Sequence, residues 1–278
     1  MGVTIRTDFD QAAACQLYGL DADQIVERFA NTTTVGHWFA YDELGNVLGV
    51  AVAAQRPDRR VFLTHRLAAE HAYEPLLLQA LATITRPVNV SVRDDQHERL
   101  ALVRRFGLEH ELTNRAFEVR FDRLLETLPA PRATADFSVA PVSDVDPDQL
   151  YELDIALRSD VPGNDGWQGN RAWFDDELAA SECDPTGYLV ALDHGTGRLI
   201  GLCRMWRNPD GPSLGMLGVR RERRNGFVAL RLLHNALTAA SDWGSPTFLT
   251  HTARSGLQRH LHRAEAVERG ASHRFVRR

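Results

Sequence analysis

The stretch SLGMLGVRRERRNGFVALRLLHNAL, Ser213 to Leu237, decides how the rest of the chain is read. Leu214 to Val219 is short, apolar and glycine-spaced, the pattern of a buried strand. Arg220, Arg221, Arg223 and Arg224 then crowd one turn, and Asn225-Gly226 supplies two positions that tolerate positive φ. Beyond them Val228, Leu230, Leu232, Leu233 and Leu237 recur at helical spacing, which predicts a helix starting near Gly226. The first amide N–H groups of a helix lack intrahelical acceptors and sit at the positive end of its dipole, so they favour a phosphate. Guanidinium groups beside them add charge-assisted hydrogen bonds. Strand, arginine turn and helix in that order predict an anion site. An ordinary strand, turn and helix beside solvated arginines reads the same way.

Working outward, Tyr188 to Asn208 alternates apolar and polar residues on both sides of Gly195 to Gly197, a β-hairpin signal. Thr247 to Thr252 reads as a strand, Ser255 to Glu265 as a helix, and the terminal HRFVRR as a last strand. The first half repeats this order: a hairpin over His37 to Gln55 turning at Glu43 to Asn46, the strand VFLTHRL, a helix over Tyr73 to Ile84, the strand VNVSVRDD, and HERLALVRRFGLEHE as a helix entering a turn. Such self-similarity predicts internal duplication.

The Ser213 to Leu237 stretch resembles the pyrophosphate-binding motif of the GNAT acetyltransferase superfamily: a strand, then V-x-x-x-x-R-x-x-G-x-A, then a helix. Val219, Arg224 and Ala229 fall on the motif, and Phe227 stands where the family usually has its second glycine. A one-residue shift pairs Arg223 with Gly226 but sets Val228 where glycine or alanine is expected. The resemblance covers about 130 residues of the second half, and LALVRRFGLE resembles the closing helix and turn of a GNAT domain in the first. It implies an α/β (α+β) fold of two tandem GNAT-like domains, each a mixed, mostly antiparallel sheet flanked by helices. The expected boundaries are a degenerate domain over 1–125, a linker over 126–136 with its prolines and small residues, and an acetyl-CoA-binding domain over 137–278.

For the second domain the resemblance implies that acetyl-CoA is held by Leu217, Gly218, Val219, Arg224, Asn225, Gly226, Phe227, Val228 and Ala229. Ser255 stands where the family often places an asparagine near the pantetheine arm. Backbone N–H groups near Leu217 to Val219 would stabilise the tetrahedral oxyanion, an effect worth roughly 3 to 4 kcal/mol per donor. Aligning LHRAEAV with the family's leucine–tyrosine–turn pattern places His262 on the position of the acid that protonates the leaving thiolate, and an imidazolium can serve as that acid. A surface histidine on an arginine-rich helix is the alternative. Asp160 or Asp165, in a segment that also holds Trp167, Trp173 and Phe174, would deprotonate a cationic amine, with cation–π attraction helping. Met216, Cys203 and Trp206 line the cleft or simply pack. In the first domain LAAEHAYEP has neither glycine nor arginine where phosphates would sit, and Val103 stands at the tyrosine position, so this half is expected to lack a catalytic role.

The charge balance narrows the partners. The 278 residues carry a net charge of −5 and no lysine, so all 32 basic residues are arginine. Residues 1–130 hold 14 arginines against 18 acids and residues 131–278 hold 18 against 19, without the basic excess of a nucleic-acid binder. No apolar run approaches the roughly 18 residues of a membrane span, and the first residues lack a signal peptide's basic and apolar regions, so no membrane partner and a cytoplasmic location are expected. Three scattered cysteines predict neither a disulfide framework nor a metal site. The leading expectation is an N-acetyltransferase that forms a ternary complex of acetyl-CoA and a small-molecule amine in the second domain. The alternative is a non-catalytic GNAT-like module that binds a CoA thioester or another ligand as sensor or scaffold. An aminoacyl-tRNA-dependent transferase is a third reading, opposed by the acidic balance. Oligomeric state is not legible.

Overall fold

The computed structural model describes residues 2–29, 33–56, 58–128, 135–164, 166–224 and 227–278. They form two compact units, one of residues 1–113 and 272–278, the other of residues 114–271. These limits differ from the expected boundaries at 125 and 137 for a covalent reason. Strand β6 (Glu109–Arg120) and strand β12 (Val267–Arg277) each start in one unit and finish in the other.

Unit one runs β1 (Thr4–Arg6), α1 (Gln11–Tyr18), α2 (Ala22–Phe29), β2 (Thr34–Tyr41), β3 (Val47–Gln55), β4 (Val61–Leu67), α3 (Tyr73–Thr83), β5 (Val88–Arg93) and α4 (His97–Arg105), followed by the first residues of β6. Helix α1 starts where the Asp10 carboxylate accepts from the Ala13 N–H at 2.9 Å, and ends at Gly19, whose φ of 67° an L side chain rarely adopts. Strands β1 to β4 pair antiparallel in sequence order, β4 pairs parallel with β5, and β5 pairs antiparallel with Ser272 to Arg277 of β12. One face of this sheet buries Leu76, Leu77 and Ala80 of α3, Val103 of α4 and Phe275 of β12, and another cluster gathers Ala14 and Ile25 against Phe39 and Val50.

Unit two opens with the end of β6, then α5 (Phe121–Thr127), which extends into the expected linker. It continues with β7 (Phe137–Pro141), α6 (Pro147–Arg158), α7 (Arg171–Ala179), β8 (Tyr188–Asp193), β9 (Leu199–Asn208), β10 (Gly211–Val219), α8 (Val228–Ala240), β11 (Thr247–Thr252) and α9 (Ser255–Arg263). Strands β7 to β10 pair antiparallel in order, β10 pairs parallel with β11, and β11 pairs antiparallel with β6. Asp146 caps α6 with Pro147 in its first turn, and the Asn170 side chain accepts from the Trp173 N–H at 3.1 Å to start α7. Leu232, Leu233, Ala236 and Leu237 of α8 pack over β9, where Gly201 keeps space for Leu232: a Cβ there would lie 3.0 Å from Leu232 Cδ1.

From β1 to β6 and from β7 to β12 the same elements recur in the same order. The repeat reaches single hydrogen bonds. After α4 the Leu108 N–H bonds the Val103 carbonyl and the Gly107 N–H that of Arg104; after α9 the Ala266 N–H bonds Leu261 and the Glu265 N–H bonds His262. Gly107 has φ 74° and Glu265 φ 56°. Cys15, Cys183 and Cys203 are free thiols. Among the described residues no helix is long and apolar enough to cross a membrane, and no group of side chains is arranged to hold a metal ion.

Candidate functional site

In unit two β10 holds β9 along its whole length, from Gly211↔Asn208 to Val219↔Gly201, with an irregularity between Leu214 and Met216. Its parallel pairing with β11 is limited to Ser213↔Leu249 and Leu214↔Thr250. Beyond Leu214 the two strands part, and the β10 edge over Met216, Leu217, Gly218 and Val219 has no strand partner there among the described residues. A parallel sheet split in this way exposes backbone donors and acceptors along a cleft, the usual place for a ligand in an open α/β sheet. Gly215 is required at the irregularity: a Cβ would lie 2.2 Å from Trp206 Nε1.

The cleft ends at the arginine turn and α8. Helix α8 begins two residues later than expected, with Phe227 at the N-cap. Among the described residues no side chain caps it and no acidic residue stands in its first turn, so its leading amides are available to an anion. Phe227 has φ −77°, a conformation open to any residue, and its side chain is 58% exposed. A glycine is therefore not demanded by the backbone at this position. Val228 is buried in the core, Ala229 packs against it, and Leu217 also packs there in part. Asn225, Gly226 and Asp165 lie outside the described residues, as does the side chain of Ser255, whose backbone starts α9.

The arginines of the turn are engaged. Arg224 donates from Nε to the Val219 carbonyl at 3.0 Å and from Nη2 to Asp160 Oδ2 at 2.5 Å. Arg221 donates from Nε and Nη2 to Asp160 Oδ1 at 2.8 and 2.5 Å, and Arg254 Nη2 donates to the Asp160 backbone carbonyl at 2.7 Å. Arg223 is ion-paired with Asp193, and Arg220 donates to the Leu199 carbonyl. The hydrogen bond from Arg221, with the charges of Arg224 and Arg221, holds the Asp160 carboxyl below the usual carboxylate range. A carboxylate so held is a weak base, which argues against the proton-abstracting role expected of Asp160. It stands instead where the arginines would meet an incoming anion.

His262 also departs from its expected role. If Val103 is at the tyrosine position of the first half, the shared turn hydrogen bonds make Leu261 its counterpart and pair His262 with Arg104. The register therefore shifts by one residue, because Glu265 adopts positive φ where a glycine would have marked the turn. Leu261 is 1% exposed in the core and carries no transferable proton, whereas His262 is exposed, with its ring 5.5 Å from that of Phe117. Cys203 is fully buried in the core, and Met216 packs in part against the α6 and α7 cluster, so Cys203 at least does not line the cleft.

One cluster was not anticipated. Behind α6, Asp154 Oδ2 accepts from Arg158 Nε at 2.6 Å, and Glu177 Oε2 accepts from Arg158 Nη2 at 2.5 Å and Arg204 Nη1 at 3.0 Å. The Arg158 guanidinium lies 4.5 Å from the Trp173 ring centre and 5.2 Å from that of Trp167, and that of Arg204 lies 4.4 Å from Trp206. Burial pushes the Asp154 carboxyl up despite Arg158 beside it. The i, i+4 spacing of Asp154 and Arg158 was the available sequence signal.

Split sheet, arginine turn and uncapped helix on a duplicated β/α scaffold define the GNAT N-acetyltransferase fold in its tandem form, and this chain has that fold. Among solved structures it is similar to a GCN5-related N-acetyltransferase from Sphaerobacter thermophilus, with 16% identity, TM-score 0.69, and coverage of 99% of this chain and 95% of the other. A tandem GNAT protein from the clavulanic acid biosynthesis pathway superposes equally well, at 14% identity and TM-score 0.69 over 99% and 98% of the two chains. A GNAT-family acetyltransferase from Colwellia psychrerythraea is 14% identical, with TM-score 0.57 over 99% and 100%. At these identities the likeness concerns the fold. No protein-family model matches the sequence, and no curated protein does.

Proposed function

We propose that unit two is an acyltransferase that moves an acetyl group from acetyl-CoA to the amine of a small molecule within a ternary complex. The parting of β10 from β11 after Leu214, with the uncapped start of α8 at its end, carries this reading. The β10 edge from Met216 to Val219 would take the amide-bearing arm of the cofactor and direct backbone N–H groups at the oxyanion. The α8 amides, with Arg221 and Arg224 once Asp160 has swung away, would take the diphosphate. The amine attacks the thioester carbonyl, the C–S bond breaks, and the thiolate takes a proton. With Leu261 at the donor position and Asp160 ion-paired, we assign both proton transfers to water.

A second reading, a module that binds a CoA thioester without turning it over, is favoured by those same two residues. Release of free thiol from acetyl-CoA in the presence of a panel of small amines separates the readings: turnover supports the enzyme, and binding without turnover supports the module.

A further inference from the structure

Unit one holds a cleft that the proposed reaction does not use. It has a volume of about 380 Å³ and is lined by Gln16 and Leu17 of α1, His65, Arg66, Leu67 and Ala68 at the end of β4, and Arg99 of α4. It opens where β4 leaves β5, since their parallel pairing runs only from Val61↔Val88 to Leu63↔Val90. The volume is within the few hundred Å³ typical of small-ligand sites.

The charges in the cleft can be counted. Arg99 is ion-paired with Glu70 and is spent. Burial, and the charge of Arg99, push the His65 imidazole down to about 4, so at neutral pH it is uncharged and offers one donor and one acceptor. Its ring rests 4.6 Å from that of Tyr73, whose hydroxyl is buried without a hydrogen-bond partner among the described residues. Arg66 gives Nε to the Leu17 carbonyl at 3.1 Å, and its guanidinium lies 6.0 Å from the Tyr18 ring centre. Among the described residues no carboxylate pairs with it, so the described lining of the cleft carries one uncompensated positive charge on a group whose two Nη atoms match a carboxylate. Gln16 lines the same cleft, while Leu17, Leu67 and Ala68 supply a short apolar wall.

We infer that this cleft is a binding site for a small organic monocarboxylate, held end-on by the Arg66 guanidinium, with Gln16 and His65 bonding its polar substituent. A monoanion balances the single free charge, and a dianion would add repulsion from Glu70. The site lies in unit one and stands whether or not unit two is an acetyltransferase.

The test uses the full chain and follows the His65 ring C–H signals by NMR during titration with acetate, glycolate, benzoate and inorganic phosphate. At least one carboxylate should shift them saturably, and Arg66→Gln should weaken that response at least tenfold while the backbone spectrum stays folded. Gln16→Ala, on an exposed helical position, should weaken glycolate more than acetate. The inference is overturned by any of three results: no saturable shift with any carboxylate, a response equal in native protein and Arg66→Gln, or phosphate binding as tightly as the best carboxylate.

Discussion

Asp160 is the residue on which the cofactor reading turns. Its two oxygens take hydrogen bonds from Arg221 and Arg224, and its backbone carbonyl takes one from Arg254, so a carboxylate occupies the donors that a diphosphate would need. Its lowered pKa means that these bonds are fully formed above the unfolded value of about 3.9 and are lost only as pH falls through the lower folded value. At neutral pH the latch is therefore closed. Exposed ion pairs contribute roughly 0.2 to 1 kcal/mol each, so displacing two of them weakens anion binding by no more than about thirtyfold. Asp160→Asn is expected to tighten acetyl-CoA binding between about two- and thirtyfold in a calorimetric titration; unchanged or weaker binding would remove Asp160 from the anion site. None of this was legible in the sequence, where Asp160 is one acid in an acid-rich loop. The neighbouring Asp154–Arg158 pair does not stand out in the sequence, because the groups packed around it, Trp167, Trp173, Glu177 and Arg204, come from other segments.

At the scale of elements, β10 was legible because a short apolar, glycine-spaced run followed by a turn has few other solutions. Its irregularity at Gly215 was not, since a glycine in a strand can mark a bulge, a close approach or neither. Here it marks both. Gly215 yields space to the Trp206 indole, which in turn stacks under Arg204. Gly215→Ala should push the indole aside and cost about 1–3 kcal/mol in stability, as overpacking commonly does, with a changed tryptophan emission. Loss of less than about 0.5 kcal/mol with unchanged emission would mean that the close approach is not strained. The start of α8 fell two residues late because Phe227, not a glycine, serves as its N-cap. The α9 turn falls one residue earlier than the leucine–tyrosine–turn spacing predicts for a related reason: Glu265 takes the positive φ that glycine takes at Gly107.

For the whole molecule, internal repetition was visible in the order of elements, and the structure extends it to matching turn hydrogen bonds. The unit limits were not visible, because a terminal strand reads the same whichever neighbour it joins. Ser272 to Arg277 pairs with β5, Phe275 is 1% exposed in the core of unit one, and Arg277 donates to the Leu81 and Ile84 carbonyls. Phe275→Ala should therefore destabilise unit one by about 3–5 kcal/mol, seen as loss of hydrogen-exchange protection in β5 and α3. Protection lost only in residues 114–271 would contradict this division of the chain.

The cleft between β10 and β11 is proposed to bind acetyl-CoA for acyl transfer. The most direct measurement is thiol release from acetyl-CoA with a panel of small amines, for the native chain and Arg224→Ala, each with its binding constant. Amine-dependent release by the native chain is expected, with affinity reduced in Arg224→Ala by at least several-fold. Absence of both binding and release in the native chain would contradict the claim.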